Sequence, residues 1–306
     1  MMELQIRKAV TEDIPKIVEL FNANTAPPKS EYFFHWWNSL PSVTFCAVYQ
    51  GNIVGMFVVL RRKLINNLNC GVLMGLIVKK EWRGGRLFKV LGDKAMNYYD
   101  DMALFCCLTN TRGKKALEKN LDFSTICSIE TMVMASDSRL NVHKKCQASA
   151  LVPVSSDTAF DNSKIEKGDV IMFLADQYFR RWRFAQHPRH SYQMMRIDSD
   201  EFIISNKYYD EESKISYADI VDFETPSLKE DRLMDLFSCA YLTLRNDVDM
   251  VTIQAVPDSL LHSAVKRIGF AGSDIRHFLC VNVKDRRNDY LYDPSNWLIK
   301  WGDYLR

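Results

Sequence analysis

One segment of the sequence has residue types and spacing suited to chemistry: Arg83-Gly84-Gly85-Arg86, with Lys79 and Lys80 just before it. An apolar stretch from Gly71 to Val78 leads into it, and an amphipathic run with Leu87, Val90, Leu91, Ala95 and Tyr98 follows. Strand, glycine turn and helix, in that order, make an anion holder. Backbone N–H groups of the turn and of the first helical turn converge, and the helix dipole adds favourable potential at the same point. Glycine lets the chain approach the anion closely, while the two arginines add formal positive charge. A diphosphate or a single phosphate suits such a cradle. The spacing is neither GxxxxGK[ST] nor GxGxxG, so the nucleoside-triphosphate and dinucleotide motifs are not met.

The remaining reactive side chains read as structural. None of the eight cysteines forms a CxxC pair or a CxxC…HxxxH grouping, so neither a metal site nor a disulfide framework is expected. Cys106 and Cys107 lie in an apolar strand, as most of the others do, and are expected to be buried reduced thiols rather than nucleophiles. The segment Asp176-Gln177-Tyr178-Phe179-Arg180-Arg181-Trp182-Arg183-Phe184 interleaves arginines with rings, a pattern able to stack bases or sugars. At helical spacing, Phe173, Tyr178, Trp182 and Ala185 form a core stripe with the arginines outside. Arg181 and Arg183 then remain as the residues able to touch an acceptor.

The elements that must position the glycine turn follow from periodicity. A short strand begins at Leu4, and a helix capped at Thr11 carries Ile14, Ile17, Val18 and Phe21 on one face. Ala26-Pro27-Pro28 breaks it. Two strands, Thr44 to Tyr49 and Ile53 to Leu60, flank a turn at Gln50-Gly51-Asn52. After the glycine turn and its helix come a strand at Leu104–Leu108, a helix from Thr111 to Asn120 and a strand at Thr131–Met134. Part of this pattern recurs. Trp36 and Trp182 sit in similar aromatic blocks 146 positions apart, and Pro41–Pro188 and Phe123–Phe270 are 147 apart, which indicates an internal duplication. In that register Glu230-Asp231-Arg232-Leu233 stands where the first copy has its glycine turn. The anion holder is therefore expected in the first copy alone.

Composition sets the outer limits. At 306 residues the chain is about twice a typical domain of roughly 150 residues. With 47% hydrophobic and 25% charged residues it is globular in class. Forty basic and thirty-eight acidic residues give +2, so neither a nucleic-acid nor a membrane partner is expected. Apolar runs such as Ile53 to Leu60 are far short of the roughly twenty residues that span a bilayer. A cytoplasmic location is expected, because the first residues lack the apolar stretch of a signal peptide.

The order of elements, together with Val78-Lys79-Lys80-Glu81-Trp82-Arg83-Gly84-Gly85-Arg86-Leu87-Phe88, resembles the GNAT superfamily of acyl-CoA-dependent N-acyltransferases over about residues 4 to 135. Ile6-Arg7-Lys8-Ala9…Asp13-Ile14 and Asn110…Asp122-Phe123 resemble that family's first strand–helix and its later N…G-F element. The resemblance implies an α/β fold of two tandem GNAT-like domains, each a mixed, mostly antiparallel sheet flanked by helices. Residues 1–147 would hold the acyl-CoA, and residues 148–306 would be a degenerate copy serving as acceptor wall or support. It further implies acetyl-CoA as co-substrate, gripped by Arg83, Gly84, Gly85, Arg86, Leu87 and Phe88. Amides of Leu76, Ile77 and Val78 would face the thioester, and Asn110 the pantetheine arm. The acceptor would be a small-molecule amine, with amino sugars as one class.

Departures from the family pattern are specific. Arg86 replaces the second glycine and Phe88 the final small residue. Glu118 stands where many members have a tyrosine acid, and Met74 and Val72 stand where many have a carboxylate base. Glu118, His187 and Asp303 are the candidates for acid–base work, directly or through water. Two other readings follow from these losses and from the doubled fold: an acyl-CoA or partner binder that transfers nothing, and a Fem-type aminoacyl transferase that uses charged tRNA.

Overall fold

The computed structural model describes residues 4–140, 150–160, 170–198, 200–284 and 286–303. The chain lays down one succession of elements twice. The first pass is β1 (Gln5–Lys8), α1 (Ile14–Asn22), α2 (Glu31–Trp37), β2 (Ser42–Tyr49), β3 (Asn52–Lys63), β4 (Asn69–Val78), α3 (Leu87–Met96), β5 (Leu104–Thr109), α4 (Thr111–Leu121) and β6 (Ser124–Ala135). The second is β7 (Val152–Pro153), α5 (Gln177–Arg180), β8 (Tyr192–Asp198), β9 (Glu201–Asp210), β10 (Ile215–Glu224), α6 (Glu230–Leu244), β11 (Met250–Ala255), α7 (Leu260–Ile268) and β12 (Ala271–Val283). The starts of β4 and β10, β5 and β11, and β6 and β12 all keep the offset near 147. Helix caps repeat as well. Ser30 accepts from the Phe33 N–H at the start of α2 (3.3 Å), and Asp176 accepts from the Phe179 N–H at the start of α5 (2.8 Å).

The compact units do not follow the two passes. One unit holds the chain up to Ile126 together with Phe278–Tyr292, and the other holds Cys127–His277 with the segment from Asp293. In the first unit the strands run β1-β2-β3-β4-β5, followed by Phe278–Val283 of β12. All pairs there are antiparallel except β4 with β5. In the second unit the order is β6-β11-β10-β9-β8-β7, with Glu130–Ala135 of β6 along β11 and one parallel pair, β10 with β11. Each copy thus gives its last strand to the other copy's unit.

The first unit is layered around β3, whose apolar run is buried along its length as expected for a strand covered on both faces. Phe57, Val59, Leu73 and Phe105 pack with Leu91 of α3 and Leu117 of α4 on one face. On the other lie α1 and α2, where Phe21, Phe34 and Trp37 meet largely edge-on at centroid distances of 5.3 to 6.0 Å. No helix among the described residues is long and apolar enough to cross a membrane.

Two expectations need correction. Cys239 is disulfide-bonded, so the cysteines are not all reduced thiols. Around Trp182, Tyr178 is exposed while Arg180 and Arg183 are 1% and 4% exposed. The reason is geometric. Phe173 precedes the Asp176 cap, and residues 181–185 form a π-helical turn, so the 3.6-residue spacing that placed the arginines outside does not apply there.

Candidate functional site

β4 and β5 run side by side only at their starts. Cys70, Gly71 and Val72 pair with Leu104, Phe105 and Cys106, and the pairing then ends. β4 continues to Val78 along β3, and β5 continues to Thr109 along β12. Parallel strands that part while each stays bonded to its outer neighbour leave a wedge walled by backbone. A bulge marks its mouth: Met56 pairs with Ile77 and Val58 with Met74, so Gly75 and Leu76 lie opposite Phe57 alone. Gly75 has φ +56°, a left-handed conformation natural to glycine. A Cβ there would lie 3.2 Å from Cη2 of Trp37 and 3.3 Å from side-chain carbons of Met56 and Val58. Gly75 and Leu76 are only half-buried, unlike the rest of the strand around them.

The glycine turn leaves β4 at the same end. The Lys79 N–H donates to Val54 O (2.9 Å), a 3₁₀ turn covers Lys80–Trp82, and Trp82 meets Tyr49 edge-on at 5.0 Å. Gly84 takes φ +82° with open space where a Cβ would be. Among the described residues, none of the N–H groups from Gly84 to Lys89 donates to a backbone carbonyl; the first such bond runs from Val90 N–H to Arg86 O (3.0 Å). No side chain caps α3. This row of open donors lies at the positive end of the helix, as an anion requires. The exposed Arg86 side chain makes no hydrogen bond or ion pair among the described residues. Arg83 is exposed too, but its Nε donates to Val78 O (2.9 Å) and its Nη2 to Asn24 Oδ1. Leu87 is buried and Phe88 packs edge-on against Phe57 at 4.8 Å, so these two offer only their N–H groups. Across the wedge, Asn110 follows the last residue of β5. Its Oδ1 accepts from the Gly113 N–H (3.0 Å), which leaves its NH₂ group to donate.

The candidate acid–base residues fall in different units. Glu118 is exposed on α4 and accepts from the Thr125 hydroxyl at 2.7 Å. His187 and Asp303 belong to the second unit and cap their own turns. His187 Nδ1 accepts from the N–H groups of Arg189 (3.2 Å) and His190 (3.1 Å), and Asp303 accepts from the Lys300 N–H (3.1 Å). Val72 and Met74 are buried apolar side chains. Arg181 is half-buried. Arg183 is buried, donating to Gly302 O (3.2 Å) and Tyr192 Oη (2.7 Å). The cysteines at the base of the wedge are inert by environment: burial pushes the Cys107 thiol well up, and a hydrogen bond with Cys70 (3.5 Å) together with burial raises the Cys106 thiol.

The second unit has the same bulge with different contents. Parallel pairing of β10 with β11 ends at Ile220, and Asp222 follows a register shift at Val221, the residue 146 positions after Gly75, which is the offset between the starts of β4 and β10. Asp222 accepts from Arg180 Nε (2.9 Å) and from Lys300 Nζ (2.7 Å), and Lys300 also donates to Phe223 O (2.5 Å). Arg180 bonds Glu224 as well. The segment Trp297–Asp303 packs here, and a Cβ on Gly302 would lie 2.9 Å from Val221 O. Sequence reasoning did not find Arg180, Asp222 and Lys300 as a group. The available signal was the pair Asp222 and Glu224 flanking Phe223 at the end of β10.

No family model matches the sequence, and no curated protein matches it. Solved structures do. A GCN5-related N-acetyltransferase from Anabaena variabilis superposes with a TM-score of 0.67 at 12% identity, covering 92% of this chain and 73% of that one. A GCN5-related N-acetyltransferase from Kribbella flavida gives 0.61 at 10% identity, with 92% and 71% covered. A tandem GNAT protein from the clavulanic acid biosynthesis pathway gives 0.58 at 14% identity, with 92% of this chain and 98% of that chain covered. With the split sheet, the bulge and the duplicated order of elements, these likenesses give the chain a tandem GNAT fold.

Proposed function

We propose that the chain is an acyl-CoA-dependent N-acyltransferase of the cytoplasm, with acetyl-CoA as donor and a small-molecule amine as acceptor. One observation carries the reading: a single unit combines a β4–β5 wedge, able to take an extended carrier arm, with a row of open N–H groups and an unengaged Arg86 at the exit of β4. The CoA diphosphate fits those amides and Arg86, and the Asn110 NH₂ fits an amide of the arm. The acceptor nitrogen attacks the thioester carbonyl carbon, so the C–N bond forms and the C–S bond breaks. The amine gives up its proton to water or to Glu118, and the departing thiolate takes one up. Amides at Leu76–Val78 would stabilise the developing oxyanion, and positioning would supply much of the acceleration.

Calorimetry with acetyl-CoA and with CoA tests the donor; no heat at millimolar ligand rejects the reading. Thiol release across a panel of amines, amino sugars included, tests the transfer. A second reading, binding without transfer, is favoured by the buried apolar Met74 and Val72 at the positions of a general base. Binding with no thiol release from any amine would establish it. Transfer from aminoacyl-tRNA instead of acetyl-CoA would move the chain to the Fem type.

A further inference from the structure

The loop between α1 and α2 is closed on itself and fastened to the glycine turn by one side chain. Asn22 bonds Lys29 twice, Nδ2 to the carbonyl (2.9 Å) and Oδ1 from the N–H (2.7 Å), which shuts the loop like a short ladder. Within it Thr25 Oγ1 donates to Phe21 O (2.9 Å) and Asn24 Nδ2 to Leu20 O (2.7 Å). Asn24 Oδ1 is thereby left pointing to an outside donor, and that donor is Arg83 Nη2. Arg83 in turn is fixed by Nε to Val78 O (2.9 Å), the last carbonyl of β4. A guanidinium has five N–H groups, so three remain after these two bonds, at the edge of the open amide row.

The loop leads into α2, and α2 ends on Trp37, whose ring lies against the Gly75 bulge. α3 and α4 pack on one face of the sheet, and an acceptor meeting the bulge beside Trp37 would lie on the other, with α1, the loop and α2. We infer that Arg83 is a positioning residue that couples occupation of the anion turn to the α1–α2 loop through Asn24. An anion on the turn engages the remaining Arg83 N–H groups, holds the guanidinium in place, and so holds Asn24 and the loop on the acceptor side. The inference rests on the acyl-CoA reading above.

Hydrogen exchange of the full chain, with and without acetyl-CoA, tests it. In the wild type, acetyl-CoA should slow exchange across 79–89 and also across 23–30, the loop by about fivefold or more, the low end of usual coupling factors. Asn24→Ala should keep the protection at 79–89 and lose it at 23–30. Asn24→Asp, which keeps an acceptor for Arg83 while giving up the amide bond to Leu20 O, should retain both. Loop protection that survives in Asn24→Ala, or a wild-type loop that stays unprotected while the turn is protected, overturns the coupling alone. Loss of protection at 79–89 as well in Asn24→Ala assigns Asn24 a merely structural role and also overturns it. Absence of protection at 79–89 in the wild type overturns both the coupling and the acyl-CoA reading.

Discussion

Replacing Lys300 by methionine is expected to destabilise the second unit by about 3–5 kcal/mol, the usual cost of leaving a buried charge without its partner. Four charged groups meet there, Arg180 and Lys300 against Asp222 and Glu224, all between 1% and 6% exposed. The set is neutral as built. Removing Lys300 leaves Arg180 as the one cation of this set against two carboxylates, and takes away the ammonium bonds to Asp222 (2.7 Å) and to Phe223 O (2.5 Å). The pH dependence has a definite sign. Burial alone would raise the Asp222 carboxyl, but Lys300 and Arg180 bring it from 3.8 down to about 2. A carboxyl depressed in the folded state stabilises above its unfolded value, and that contribution is lost as pH falls from about 4 through about 2. It is worth about 2 kcal/mol in all. Urea unfolding read by hydrogen exchange in β10 isolates the second unit. Lys300→Met should lower its stability as stated, and Lys300→Met with Asp222→Asn should regain most of the loss by restoring neutrality. A single variant within about 1 kcal/mol of wild type, or a double variant as unstable as the single, would refute the reasoning.

Three further outcomes are expected. Gly75→Ala forces a Cβ into a left-handed bulge and against Trp37, costing about 1–2 kcal/mol, and should lower thiol release from acetyl-CoA more than it weakens CoA binding by calorimetry. Arg86→Gln should raise the CoA dissociation constant about tenfold, the worth of one charge-assisted contact, and flatten its salt dependence; an unchanged constant would remove Arg86 from the site. Iodoacetamide at pH 8 should leave Cys46, whose thiol burial pushes up to about 12, and Cys107 unalkylated in the folded chain, as peptide mapping would show.

Local chemistry was legible in the sequence, and distant chemistry was not. The glycine turn could be read because its parts are contiguous: an apolar strand, two glycines between arginines, then a helical stripe. The duplication could be read because Trp36, Pro41 and Phe123 keep their spacing to Trp182, Pro188 and Phe270. The exchange of β6 and β12 left no trace, since both strands are the last of their copy and one apolar pattern satisfies either neighbour. Arg83 looked like an anion ligand on residue type alone; its bond to Asn24, 59 residues earlier, depends on the path of the α1–α2 loop. Arg180, Asp222 and Lys300 are separated by 42 and 78 residues, and no periodicity links them. The π-helical turn at 181–185 moved the phase of a pattern that a 3.6-residue period would have placed with its arginines in solvent.

The two bulges show how one fold came to hold one candidate site. At Gly75 the first copy leaves the bulge bare and half-buried, with open amides beyond it. Directly after its own bulge the second copy puts the carboxylate of Asp222 and buries it. That carboxylate requires cations, and the two that serve it, from α5 and from the segment Trp297–Asp303, bring side chains and backbone against β10 where the strands would part. The helix that follows has changed in the same direction. Glu230 and Asp231 in the first turn of α6 favour its dipole, whereas the first turn of α3 carries no acidic residue. Both changes exclude an anionic carrier and both stabilise the unit. The second copy therefore reads as a cleft converted into a core, and the stability predicted to be lost with Lys300 is the measure of that conversion.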